Sequence, residues 1–153
     1  MYKKILAPVD GSELSECSLA HVKAIAGGCN VPEVVLIRVV EPLRQAGMIT
    51  GYLDEDLLLK MRADAELRIQ DDLVKLADSL NSDGVVARTA IAHGKAADEI
   101  LDYANKNNVD LIIMSTHGSS GVARWAMGSV ADKVLRHSPV PVLIAAPKAC
   151  RIS

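Results

Sequence analysis

The densest chemistry in the 153-residue chain lies between Met114 and Ser129. Three glycines (Gly118, Gly121, Gly128) and five hydroxyl side chains (Ser115, Thr116, Ser119, Ser120, Ser129) fall inside those few residues. Glycine lets backbone N–H groups approach an anion with no Cβ in the way. The Gly128-Ser129 step opens a helical pattern, and a helix N-terminus favours phosphate through its free N–H groups and its dipole. Phosphate binding is the chemistry these residue types suit. A flexible Gly/Ser surface loop is the competing reading on composition alone. Charge favours the first. Residues 117–153 hold Arg124, Lys133, Arg136, Lys148 and Arg151 against Asp132 alone, a balance of +4, whereas residues 54–83 hold nine acids and four bases, a balance of −5.

Other familiar sites are missing. No G-x-x-x-x-G-K-[ST] occurs, so there is no Walker-type loop. Asp10-Gly11-Ser12 is not G-x-G-x-x-G. Gly118-Ser-Ser-Gly121 is one residue short of a G-x-S-x-G nucleophile elbow, and no H-E-x-x-H is present. His117 and Asp10 are the plausible proton-transfer groups near the loop, and neither has a partner visible in the sequence. Cys17, Cys29 and Cys150 form no C-x-x-C, so free thiols in a reducing compartment are expected.

The elements that must position this loop are legible from hydrophobic pattern. Lys4 to Val9 reads as a strand stopped at Asp10-Gly11-Ser12. Leu14, Cys17, Ala20 and Ala24 recur at helical spacing until Gly27-Gly28. Val34 to Val40 is a second strand, stopped by Glu41-Pro42. Residues 41–53 read as a loop. Leu58, Met61, Ala65, Ile69, Leu73, Leu76 and Leu80 mark a long helix from Asp54, with Asp54, Glu55 and Asp56 where its dipole favours them. Val85 to Ala92 is a third strand, ended at His93-Gly94. Ala97, Ile100, Leu101 and Ala104 lie on a short helix that stops at Asn107-Asn108. Val109 to Ser115 is a fourth strand. Ser129-x-x-Asp132 resembles a capping box, and its helix ends at Ser138-Pro139. Val140 to Ala146 is a fifth strand.

Strand–helix alternation implies right-handed crossovers and a parallel sheet. Continuous apolar strands imply helices on both faces. Ligands of such sheets bind beyond the carboxyl ends of the strands, which directs attention to the loops after Val9, Val40, Ala92 and Met114.

Composition sets outer bounds. The mass is 16.3 kDa, half the residues are hydrophobic, Phe is absent and mean hydropathy is +0.20. One domain over residues 1–153 with an aliphatic core is expected. With 24% charged residues and a net charge of −2, neither disorder nor a basic nucleic-acid surface is indicated. Four scattered aromatics make no base-stacking platform. No apolar stretch approaches the ~18 residues that cross a bilayer, so no membrane partner is expected. Met1-Tyr2-Lys3-Lys4 leads into too short an apolar run for a signal peptide, and a cytoplasmic location is expected.

Three segments resemble the universal stress protein family. Lys4-Ile-Leu-Ala-Pro-Val-Asp-Gly-Ser-Glu13 is similar to its opening strand and turn. His93-Gly94-Lys-Ala-Ala-Asp-Glu-Ile100 resembles its third strand-to-helix turn. Asp110 to Gly118 and Gly128 to Leu143 resemble its C-terminal signature. The family's ATP-binding branch carries G-x2-G-x9-G-[ST]. Gly118 and Gly128-Ser129 fit that pattern, and its first glycine falls on Ser115.

The resemblance implies a single-domain Rossmann-like three-layer sandwich of the adenine nucleotide alpha hydrolase type, with a five-stranded parallel sheet in the order 3-2-1-4-5. It implies ATP as ligand, with Mg2+ on the phosphates, and a homodimer paired through Val140 to Ala146. It implies that Asp10 holds the ribose hydroxyls beside Pro8 and Val9. Val39 would offer its backbone to adenine, and Met114 would pack on the nucleotide. Ser115, His117, Gly118, Gly128, Ser129 and Val130 would surround the phosphates. Read without the resemblance, Asp10 caps the first helix with Glu13, Val39 and Met114 are core residues, and His117 is a solvated loop side chain. Three functions follow: a nucleotide-dependent stress-response module, a slow ATPase or self-phosphorylating enzyme, or a nucleotide-free interaction protein.

Overall fold

The computed structural model describes residues 1–42, 54–116 and 127–146. Five strands, β1 (Lys4–Pro8), β2 (Glu33–Val40), β3 (Ala87–His93), β4 (Leu111–Ser115) and β5 (Val142–Ala145), form one sheet. Its order is β3-β2-β1-β4-β5 and every pairing is parallel. The chain winds outward from β1 to β3, then returns across the sheet to β4 and β5. The switch point therefore falls between β1 and β4, where the carboxyl ends open a crevice. Helices α1 (Glu13–Glu16), α2 (Ser18–Gly28), α3 (Glu55–Ser82), α4 (Ala96–Lys106) and α5 (Ser129–His137) connect the strands. Among the described residues, no helix is long and apolar enough to cross a membrane.

Period-two alternation divides the core into two layers. Ile5, Ala7, Val34, Leu36, Leu111 and Ile113 point to the α2–α3 face and meet Val22, Ala26, Leu73, Ala77 and Leu80. Leu6, Val35, Ile37, Ile112 and Met114 point to the opposite face and meet Ala97, Ile100, Ala104, Ala131 and Val134. Each fully buried Ile or Leu contributes about 2 kcal/mol of transfer free energy. Alanines on the helices bring them close to the strands, so the fold holds together without phenylalanine.

Three of the helix-to-strand turns share one solution. Asn30 (φ 49), Gly84 (φ 84) and Asn108 (φ 53) take the left-handed conformation just past α2, α3 and α4. The next residue in each case is a buried valine whose N–H bonds back into the helix: Val31 to Ala26 O, Val85 to Leu80 O, Val109 to Ala104 O. This is the Schellman ending. The reversal after α2 thus occurs at Asn30, and Gly27-Gly28 lie within the helix.

The structure corrects several further expectations. The first helix is divided at Cys17 into α1 and α2. Ser15 Oγ bonds to Ser12 O and Ser18 Oγ to Ser15 O, and such side-chain bonds compete with the helical ladder. The cap of α1 is Ser12, not Asp10: Ser15 N–H donates to Ser12 Oγ. The cap of α5 is Gly128, with no side-chain bond, so Ser129 is the first helical residue rather than the head of a capping box. On α3 the apolar stripe is buried only at Leu73, Ala77 and Leu80, while Met61 is exposed. Cys29 is free as expected, but Cys17 is disulfide-bonded, a pairing that no cysteine spacing in the sequence announced. Residues 43–53 of the anticipated loop lie outside the described residues.

Candidate functional site

A cleft of about 490 Å³ opens at the carboxyl ends of β1, β2 and β4. This size suits a small organic ligand. Nine residues singled out from the sequence line it together: Pro8, Val9, Asp10, Val39, Met114, Ser115, Gly128, Ser129 and Val130. His117 and Gly118, the other two, lie outside the described residues.

The β2 side offers a peptide edge. Carbonyl and N–H directions alternate along a strand, and both groups of one residue point to the same neighbour. Ile37 O accepts from Val9 N–H at 2.9 Å, on the β1 side, while Val40 O accepts from Gly94 N–H at 3.1 Å, on the β3 side. The Val39 peptide groups therefore face β1. That strand has already ended at Pro8. Neither Val39 N–H nor its carbonyl has a partner among the described residues. One donor and one acceptor thus face the cleft side by side, flanked by Ile37, Ala96, Ile100 and Met114.

The first turn positions an acid. Asp10 follows β1, and its Oδ1 accepts from Ser12 N–H at 2.9 Å and from Ser12 Oγ at 2.5 Å. Asp10 N–H donates to Ser15 Oγ at 3.1 Å. Asp10 is thus held by its own turn, and its carboxylate borders the cleft. Gly11 sits at φ +81, a left-handed conformation that favours glycine, and the Arg38 guanidinium lies against the side a Cβ would occupy.

The opposite wall ends in a helix start. Gly128 N–H donates to Thr116 O at 2.8 Å, and Thr116 N–H donates to Ala145 O at 3.1 Å. These bonds fix the beginning of α5 against the ends of β4 and β5. Asp132 N–H closes the first turn on Gly128 O. The N–H groups of Ser129, Val130 and Ala131 have no partner among the described residues, and all three residues line the cleft. Three free donors at a dipole's positive end make an anion seat. Ser115 is buried as the last residue of β4 and pairs in register with Ala145. Its φ is not positive, so a serine stands there without backbone strain.

The cleft continues past Glu41, Ala96, Ser129 and Val130 into a side pocket of about 320 Å³ that reaches Lys95 and Lys133. Lys133 Nζ lies 2.6 Å from Asp98 Oδ1. That hydrogen-bonded lysine holds the Asp98 carboxyl below its usual range. Among the described residues, no group of three or more His, Cys, Asp or Glu side chains could hold a metal ion.

Sequence reasoning missed Arg38, Glu41, Ala96 and Ile100 as cleft residues. Arg38 and Glu41 flank Val39 along the chain, so the end of β2 held the signal. Ala96 and Ile100 arrive from α4, and only the crossover brings them there.

Comparison with known proteins gives a consistent result. The model of the universal stress protein family matches residues 1–146. Two relatives from Methanocaldococcus jannaschii are similar over 94% of this chain: universal stress protein MJ0531, 33% identical and covered to 82%, and MJ0577, 31% identical and covered to 94%. Universal stress protein UspA from Lactobacillus plantarum superposes with a TM-score of 0.78 at 24% identity, covering 94% of this chain and 97% of that one. A universal stress protein in complex with cAMP superposes at 0.68 with 20% identity, covering 95% and 97%. An Arabidopsis thaliana family member with AMP bound superposes at 0.64 with 15% identity, covering 94% and 91%.

Proposed function

The chain belongs to the universal stress protein family, and we propose that it binds ATP in the cleft and acts as a nucleotide-dependent stress-response module. The observation that carries this reading is the pairing, across one cavity, of two sets of groups that have no partner among the described residues. The Val39 edge supplies a donor beside an acceptor, complementary to N1 and the 6-amino group of adenine. The α5 start supplies three N–H groups for phosphate. Asp10 lies on the β1 loop between them and accepts from the ribose hydroxyls. Pro8, Val9 and Met114 give the apolar contact, and Ser115, Gly128, Ser129 and Val130 surround the phosphates. His117 and Gly118 complete that shell in this reading. The family members holding cAMP and AMP lend the adenine nucleotide class its support.

Mg2+, when present, rides on the phosphates, because the described carboxylates near α5 are engaged elsewhere: Asp132 with Arg136 and Asp98 with Lys133. Binding without fast turnover is the mode we favour. The anion seat is built of backbone groups, and no lysine of the Walker kind accompanies it. The edge strand β5, paired on one side only among the described residues, is the surface through which a second copy completes a homodimer along Val140 to Ala146.

Mass spectrometry of gently purified, non-denatured protein tests the reading. The expected result is a dimer mass carrying adenine nucleotide. A nucleotide-free mass that millimolar ATP does not change would overturn it.

A further inference from the structure

Glu41 follows the last residue of β2 and faces the cleft from the same side of the strand as Ile37 and Val39. Its Oε1 accepts the N–H of Ala96 at 3.0 Å, across 55 residues of chain. Ala96 opens α4, whose own cap residue, Lys95, gives no side-chain bond. Glu41 therefore closes a helix start that the local sequence leaves open. The same bond orients the carboxylate, and Oε2 takes no hydrogen bond or ion pair among the described residues. Glu41 is exposed at the rim, where the cleft is lined by the apolar Ile37, Val39, Ala96 and Ile100 together with Arg38, and where the adjoining side pocket carries Lys95 and Lys133. A held acceptor at the rim of an apolar slot discriminates between ligands that differ in one polar group.

We infer that Glu41 determines base specificity: Oε2 accepts the second proton of a purine 6-amino group, whose first proton goes to the Val39 carbonyl. This inference rests on the adenine nucleotide reading above. A 6-oxo purine turns a carbonyl oxygen toward the same carboxylate, and two acceptors then face each other with no proton between them.

ATP and inosine triphosphate are the probes, since they differ only in the 6-substituent and its tautomer. Glu41→Gln is the decisive variant. An amide nitrogen cannot accept from Ala96 N–H, so the glutamine oxygen stays on the helix and its NH2 turns to the base. The cap is thereby kept, and a thermal melt equal to wild type verifies the fold. By isothermal titration, wild type prefers ATP. In Glu41→Gln the ATP-to-ITP affinity ratio falls about tenfold or more, with ATP weakened and ITP strengthened. A role confined to capping α4 leaves the ratio untouched. An unchanged ratio in a variant that still binds ATP overturns the Glu41 assignment alone. Failure of wild type to bind either nucleotide overturns the nucleotide reading and Glu41 with it.

Discussion

The two ends of the cleft are built by different means. At the β2 end stand a strand edge and a carboxylate, Val39 and Glu41, both fixed by pairing to neighbouring elements. At the α5 end stand three helix N–H groups beside Ser115 and Thr116. In the reading proposed above, the first end distinguishes one planar donor–acceptor pattern from its reverse. The second takes any anion of suitable size, because a dipole and N–H groups read charge rather than shape. On that reading specificity belongs to the sheet and affinity for phosphate to the helix, with Asp10 between them.

Substitutions can separate the two ends. The largest effect is expected from Ser129→Asp. An acid in the first turn of a helix is tolerated or stabilising, so the fold survives. The same charge opposes phosphate directly. ATP affinity should fall about a hundredfold or more, while adenosine affinity stays within about threefold. Titration calorimetry with both ligands reads the difference. Equal losses for ATP and adenosine would erase the division of labour.

Asp10→Asn comes next. Asparagine keeps an oxygen for the Ser12 bonds and gives up the charge that favours ribose hydroxyls. ATP and adenosine should both weaken about tenfold. A 2′,3′-dideoxy nucleotide should bind wild type and variant alike. A variant that weakens only ATP would move Asp10 out of the ribose position.

A smaller effect belongs to the far end of the sheet. Asp110 Oδ2 accepts from Lys3 N–H at 2.7 Å and from Lys4 N–H at 2.8 Å, which clamps the entry of β1 beside β4. These backbone bonds hold the Asp110 carboxyl below its usual range. A carboxyl depressed in the folded state stabilises above its unfolded pKa of about 4 and loses that contribution as pH falls through the lower folded value. Asp110→Asn should cost about 1 kcal/mol at pH 7, read from urea midpoints. The gap between variant and wild type should begin to narrow below about pH 4 and shrink further as pH falls through the depressed folded value. Nucleotide affinity should not change, because Asp110 is at the amino end of β4, away from the cleft.

The sequence disclosed the sheet more fully than the site. Runs such as Val34–Val40 and Leu111–Met114 are apolar without alternation, and only a doubly covered parallel strand explains that. Nine residues of the cleft were legible because a local motif or the family resemblance marks them. Glu41 was not, since its contact to Ala96 spans 55 residues and its local reading is a strand stop. The division of the first helix at Cys17 was hidden for another reason. Leu14, Cys17, Ala20 and Ala24 keep helical spacing through it, and the serine hydroxyl bonds beside it leave no trace in that pattern. The apolar stripe on α3 was read correctly as helical but overran the core, because periodicity reports a face and not what covers it.

Titration of ATP into the intact protein, followed by calorimetry, tests the central claim most directly. The account predicts saturation at one ATP per chain, together with a rise in thermal stability that grows with ligand concentration. Absence of binding at about 1 mM ATP, where even a contact worth only ~4 kcal/mol is half-saturated, would contradict it.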